Sequence, residues 1–459
     1  MKMTWANKTA FFLVCTIVVL TTLAYGTVHQ PTLALFYVGV AALAVLWAID
    51  GMRSGAIRVS GSWFQIPLLA AAVYGLIQVI PFGSIAAVAG VSGIPRTISL
   101  DPSSTQINAL HFLALFFFLA VLLVVLDSAS RIRKLAALIM IFGTVYAFFA
   151  ILQSVLSPDK IYGIYAREFA TPFGSFVNRH NFAAYMEMTL AIPLGLLFCG
   201  AVARDKRLLY VTAVALMGSA LLLSGSRGGF VALIAEIALL LILTMRSKSG
   251  NIVGAKIVLA VILLAAIIGG SYFVGGESSL TRIAETSVSK DVTTDRAYIW
   301  GATLKVIRAN FPFGAGLGAF GVAFTPFDEH SGLERVEQAH NDYLQVISDA
   351  GLAGAAIGLF FLIAFYKNAR AGAAVDNSFR RGIATGSIAG IFAILVHSAF
   401  DFVLHTTAIS VLFLALIGLL AASRSRYTDD IEDLEPGPSR RRKRGSVSPI
   451  SSRRKSVAD

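Results

Sequence analysis

Histidine, amide and carboxylate side chains stand together in Gln338-Ala339-His340-Asn341-Asp342-Tyr343-Leu344-Gln345, directly ahead of an apolar run that extends to Phe365. An imidazole titrates at about pH 6.5 when unperturbed, so it can exchange a proton near neutrality. Asn341 or Asp342 also suits the N-cap of the helix that the run predicts. His340 is not needed for a cap, and its presence asks for a second explanation.

Two arginines offer complementary chemistry. Arg227 lies in Ser224-Gly225-Ser226-Arg227-Gly228-Gly229, which interrupts an apolar stretch. Arginine inside a membrane segment costs about 2.5–3.5 kcal/mol on insertion scales. It could be a loop arginine reaching for lipid headgroups, but the glycines break the helix and expose N–H groups that suit a phosphate. Arg296 falls in Asp295–Phe311, where Ala297, Trp300, Leu304 and Ile307 form a helical stripe. Asp295 or Thr294 would cap this helix, and Pro312 follows its end. At an N-terminal turn a cation opposes the helix dipole, so Arg296 is either a solvated surface residue or the partner of a bound anion.

Three weaker signals accompany them. Phe173–Asn181 contains Arg179 and His180 in a basic, amide-rich turn that also reads as a turn with a cap. His397-Ser398-Ala399-Phe400-Asp401-Phe402 puts an imidazole and the Asp401 carboxylate late in an apolar span, in a structural or a functional role. His330, His340 and Asp342 share one loop without the spacing of a metal motif. No metal or cofactor is expected. The stretch Phe313–Phe320 is a flexible glycine-rich turn without the preceding strand that a dinucleotide fingerprint requires.

These residues have to be held by membrane helices. Of 459 residues 56% are hydrophobic and 14% charged, where soluble proteins carry about 25% charged residues; mean hydropathy is +0.74. A span needs about 20 apolar residues. Twelve runs qualify: Thr9–Val28, Pro31–Ile49, Ser62–Ile80, Ile107–Leu126, Lys134–Leu156, Asn181–Ala201, Leu208–Ser224, Gly229–Met245, Gly254–Val274, Tyr343–Phe365, Arg380–Val403 and Ala408–Ala422. The predicted fold is an all-α polytopic membrane protein. Residues 1–274 supply helices one to nine, 275–342 one large loop with helices in it, 343–422 helices ten to twelve, and 423–459 a disordered basic tail. The first run lacks a small-residue cleavage site and reads as a retained helix. Cys15 and Cys199, both in apolar runs, exclude a disulfide framework.

Charge orients the chain. Lys2, Lys8, Arg53, Arg58, Arg131, Arg133, Lys134, Arg204, Lys206, Arg207, Arg246, Lys248, Lys256, Lys367, Arg370, Arg380 and Arg381 fall on the side of the N-terminus. Short loops of the other side hold only Arg96, Lys160, Arg167, Arg179 and Arg227. The positive-inside rule then makes both termini cytoplasmic and the 275–342 loop external. The net charge of +12 follows mostly from this topology, and no nucleic-acid partner is expected. Arg440-Arg441-Arg442-Lys443-Arg444 and Arg453-Arg454-Lys455 in the tail suit the anionic inner leaflet.

The motifs around Arg179, Arg227, Arg296, His340 and Asp401, in this order, resemble the O-antigen ligase and polymerase superfamily of bacterial envelope glycosyltransferases. The resemblance spans about residues 100 to 422. It implies a GT-C-type helical fold in the bacterial inner membrane, with a large periplasmic loop. It implies metal-independent, inverting transfer of a glycan from an undecaprenyl-diphosphate carrier to an acceptor hydroxyl on lipid A–core or a growing polysaccharide. The family's two essential arginines correspond to Arg227 and Arg296, and its loop histidine to His340. Arg179, His180, Asn341, Asp342 and Asp401 are further substrate-binding candidates. His340 serves either as the base or as a diphosphate ligand. A twelve-span glycan transporter and a non-catalytic envelope scaffold are the competing classes. The chain shows no repeat of two related halves, which a transporter would favour.

Overall fold

The computed structural model describes residues 4–85, 91–158, 160–166, 171–245, 250–275, 291–329 and 335–424. The basic tail and His330 lie outside them. Among the described residues the regular structure is helical apart from a two-stranded hairpin, β1 (Lys160–Ile161) and β2 (Tyr165–Ala166). The membrane helices are α1 (Trp5–Leu23), α2 (Gln30–Ser54), α3 (Gln65–Gln78), α4 (Pro102–Val125), α5 (Ala129–Leu156), α6 (Arg179–Phe198), α7 (Arg207–Leu223), α8 (Arg227–Thr244) and α9 (Gly250–Gly275). Two described helices follow in the polar interval, α10 (Asp291–Ala309) and the short α11 (Phe320–Phe324). The bundle closes with α12 (Asp342–Ala373), α13 (Ser378–His397) and α14 (Thr407–Ser423).

Every expected span coincides with a helix. Ten described helices are long and apolar enough to cross a membrane, and α3 and α14 are shorter apolar helices. The chain is a multi-pass membrane protein. α6 lies at the centre, with 94% of its apolar window buried. It packs on α13 through small residues: a Cβ on Gly386 would stand 2.5 Å from the Ala191 carbonyl oxygen, so the two backbones touch directly. At one end of α1, α2, α4 and α5 a polar cluster closes the bundle, with Arg58 on Asp50 at 2.7 Å and Arg131 on Asn7 at 2.6 Å.

Three expectations change. The eleventh span does not run to Val403: α13 ends at His397, and 398–406 is a hydrogen-bonded loop. Asp401 therefore sits outside the helix, at the end of the bundle. The helix carrying Arg296 starts at Asp291 rather than at Asp295, so Thr294 and Asp295 lie within it and Arg296 is beyond the first turn. The dipole argument for a bound anion at Arg296 therefore lapses.

The glycine-rich turn, expected to be flexible, is clamped. α12 kinks at Gly351, which has φ 55° and ψ −137°. The kink frees carbonyls of the preceding turn. Ala315 donates to the Ser348 carbonyl at 2.8 Å and Gly316 to that of Asp349 at 2.9 Å. The Gln78 side chain donates to the Phe313 and Asp349 carbonyls and accepts from the Leu317 N–H. A Cβ at Gly351 would overlap the Pro312 carbonyl oxygen. This seam, with a small core of Ala302, Val306, Phe320 and Phe324, seats α10 against α12 and so positions Arg296.

Candidate active site

The start of α6, the α7–α8 turn, the 398–406 loop, the start of α12 and helix α10 meet at one end of the bundle. Their common point is Asp401, whose side chain is 3% exposed. Its Oδ2 accepts from the Arg296 guanidinium at 3.3 Å and lies 3.7 Å from His180 Nδ1. Its Oδ1 faces His340 Nδ1 at 3.3 Å and accepts from the Phe402 N–H at 2.9 Å. Burial pushes the Asp401 carboxyl up. The hydrogen bond with His340 and the charges of His180, Arg296 and His340 outweigh it, and the carboxyl is held well below the usual carboxylate range.

A cleft of about 160 Å³ opens beside Asp401. Arg179, Arg227 and Arg296 line it together with His180, His397 and Phe400. Among the described residues three guanidinium groups and one carboxylate line the cleft. The cleft is built from local rules. Ser226 caps α8, its Oγ accepting from the Gly229 N–H at 3.2 Å, and the same Oγ lies 2.9 Å from His180 Nδ1. Arg227, the first residue of α8, is presented beside N–H groups at the positive end of a helix dipole. Gly228 has to lack a side chain, because a Cβ would lie 2.8 Å from the His397 ring. Asn178 caps α6 by accepting from the His180 N–H at 2.8 Å, which turns Arg179 and His180 toward the cleft.

His340 is not among the lining residues; it occupies the other side of Asp401. It has φ 50°, a left-handed conformation that non-glycine residues rarely adopt. Its ring packs edge-on against Phe402, with centroids 4.9 Å apart. Its Nδ1 is turned to the carboxylate, so Nε2 is the nitrogen not engaged by Asp401.

Asn341 and Asp342 do not reach the cleft. Asn341 caps α12, accepting from the N–H groups of Tyr343 and Leu344, and donates to the Ala399 carbonyl. Asp342 accepts from Ser398 Oγ at 2.8 Å and from the Leu404 N–H, and meets His405 Nδ1 at 2.9 Å. Both residues tie α12 to the loop that carries Asp401. Burial would lower the His405 imidazole, but the hydrogen bond with Asp342 and the charges of Asp342 and Asp349 raise it above its ordinary value.

Two participants escaped the sequence analysis. Glu187 of α6 pairs with His397 of α13 at 2.8 Å, both completely buried, behind the cleft wall. A lone carboxylate in an apolar span is the signal that could have found it. His405 lacks such a signal, since only the folded loop brings it to Asp342.

His180, His397 and Asp401 also place ligand-type atoms within 4.8 Å of one another. A cation there would meet the Arg296 guanidinium already on the Asp401 carboxylate and two further arginines along the cleft. The Arg296 guanidinium on Asp401 and the Arg227 guanidinium beside it suit an anion better than a metal ion.

Comparison with known proteins agrees with the motifs. Residues 212–359 match the family model described as O-Antigen ligase. The matched segment contains Arg227, Arg296 and His340. The resemblance to the O-antigen ligase and polymerase superfamily rests on this match. No curated protein matches the chain.

Proposed function

We propose that this chain, which carries an O-antigen ligase domain, is an inner-membrane glycosyltransferase that moves a glycan from an undecaprenyl-diphosphate carrier to an acceptor hydroxyl. One observation carries the reading: three arginines converge on a small cleft at a membrane-helix end, with a histidine held by the carboxylate between them. A lipid diphosphate leaves as a polyanion. Guanidinium forks and the α8 N-terminus can meet that charge as the glycosidic bond breaks.

His340 is then the base. Asp401 accepts from Nδ1–H, which fixes the tautomer and leaves the Nε2 lone pair for the acceptor's proton. The position of His340 beyond Asp401, outside the arginine cleft, favours this role over that of a diphosphate ligand. The hydroxyl oxygen forms the new bond to the anomeric carbon as the diphosphate departs from the opposite face, which inverts the centre. No metal is needed in this scheme. In this reading the cleft faces the periplasm and both termini the cytoplasm, an orientation that the basic residues of the short loops support. Helices α10 and α11 then lie on the periplasmic side.

The test is the envelope glycan of a strain lacking this chain. Loss of glycan attachment with accumulation of long carrier-linked chains marks a ligase, and single carrier-linked repeat units mark a polymerase. An unchanged glycan profile would overturn the proposal.

A further inference from the structure

The opposite end of the bundle carries a second cavity, of about 870 Å³. It lies between the last turns of α6 and α8 and the first turns of α7, α9 and α13. Its walls are apolar, with Leu197, Val211, Leu243, Leu259 and Ile262 among them. Arg207, Lys256 and Arg381 belong to the same lining. Among the described residues none of the three is paired with a carboxylate. Arg207 Nε donates to the Val202 carbonyl at 3.5 Å, Lys256 to that of Thr244, and Arg381 to that of Val375 at 3.4 Å.

Lys256 meets a carbonyl at the C-terminal end of α8, where a cation is favoured, but local stability does not account for Arg207 and Arg381. Arg207 opens α7, and Arg381 stands in the first turn of α13. Cations at those positions oppose the helix dipoles, whose positive ends already point toward the rim. The cavity thus joins a strongly anion-seeking rim to apolar walls. A free phosphate would leave the walls empty, and an uncharged lipid would leave the cations unanswered. An anionic headgroup carrying acyl chains satisfies both, and basic pockets between membrane helices are a known setting for such headgroups.

We propose that this cavity binds an anionic phospholipid from the leaflet opposite the arginine cleft, its phosphate on Arg207, Lys256 and Arg381 and an acyl chain along Leu243 and Ile262. The inference does not depend on the transfer reaction.

The test is lipid retention by the purified full-length protein, incubated with equal phosphatidylglycerol and phosphatidylcholine and read by native mass spectrometry. Wild type should retain phosphatidylglycerol about tenfold over phosphatidylcholine. The variant Arg207→Gln/Lys256→Gln/Arg381→Gln should lose the preference. Arg53→Gln/Lys134→Gln, which removes two exposed cations elsewhere, should keep it. Millimolar inorganic phosphate should not displace the lipid. If the triple variant does not fold, Val211→Trp, which fills the cavity and keeps every cation, should lower retention. Equal retention of the two lipids by wild type, an unchanged preference in the triple variant, undiminished retention in Val211→Trp, or displacement by inorganic phosphate would overturn the proposal.

Discussion

Replacing Asp401 by asparagine removes one charge and almost no volume. The amide oxygen can still accept from the Phe402 N–H. What goes is the anion between His340, Arg296 and His180. At 3.3 Å from Arg296, the Coulomb attraction at an effective dielectric of ~20 is about 5 kcal/mol. That is an upper bound, since the Arg296 side chain is 27% exposed and solvent screens it. The part that bears on rate is the charge-assisted bond orienting His340, worth roughly 1.5–3 kcal/mol. Lost only as the proton moves, it lowers kcat roughly 10- to 150-fold. The cleft meanwhile becomes more cationic, so KM for a lipid-diphosphate donor should hold or fall. The assay is initial-rate transfer by the purified variant, with its melting temperature as a folding control. A raised KM at unchanged kcat would refute the orienting role of Asp401.

Other consequences can be measured separately. Gly351→Ala should lower the melting temperature markedly, because its Cβ overlaps the Pro312 carbonyl oxygen and strained backbone costs about 1–3 kcal/mol; unaltered melting would contradict the clamp. His405, raised above its ordinary value by Asp342, stabilises the folded chain fully below about pH 6.5 and ceases to as the pH rises through its folded value. Melting temperature should therefore fall as the pH rises above about 6.5, and less so in His405→Gln. Chelators should leave transfer unchanged, and a strict requirement for an added divalent ion would return His180, His397 and Asp401 to consideration as ligands. Cysteine labelling should find position 340 accessible from the periplasm, and truncation after Ser423 should leave transfer largely intact; a cytoplasmic position 340 would invert the topology.

The membrane helices were legible because burial in lipid demands long apolar runs, and all twelve runs match a helix. The Asn341 cap was legible for a similar reason: amide before carboxylate before an apolar run has few other uses. Boundaries failed where polar residues hide in apolar context. Phe400, Phe402 and Val403 extend the eleventh run, but the loop that holds them exists to place Asp401. The glycine turn looked mobile because its partners, Gln78 and Asp349, are remote in sequence. Arg227 and Arg296 could be proposed together, whereas Asp401 as their junction with His340 could not, since no periodicity encodes a contact between distant segments. Glu187 and His397 illustrate the same limit inside the bundle.

In the proposed reaction the arginine cleft discharges a lipid diphosphate. The most direct measurement is transfer by reconstituted protein supplied with an undecaprenyl-diphosphate-linked glycan and an acceptor, for wild type, Arg227→Ala, Arg296→Ala and the matching lysine variants. Wild type should form the new glycosidic bond and release lipid diphosphate. Each alanine variant should fall to near background. The lysine variants should recover little, because lysine keeps the charge and loses the bidentate fork. Full turnover in a correctly folded alanine variant would contradict the account.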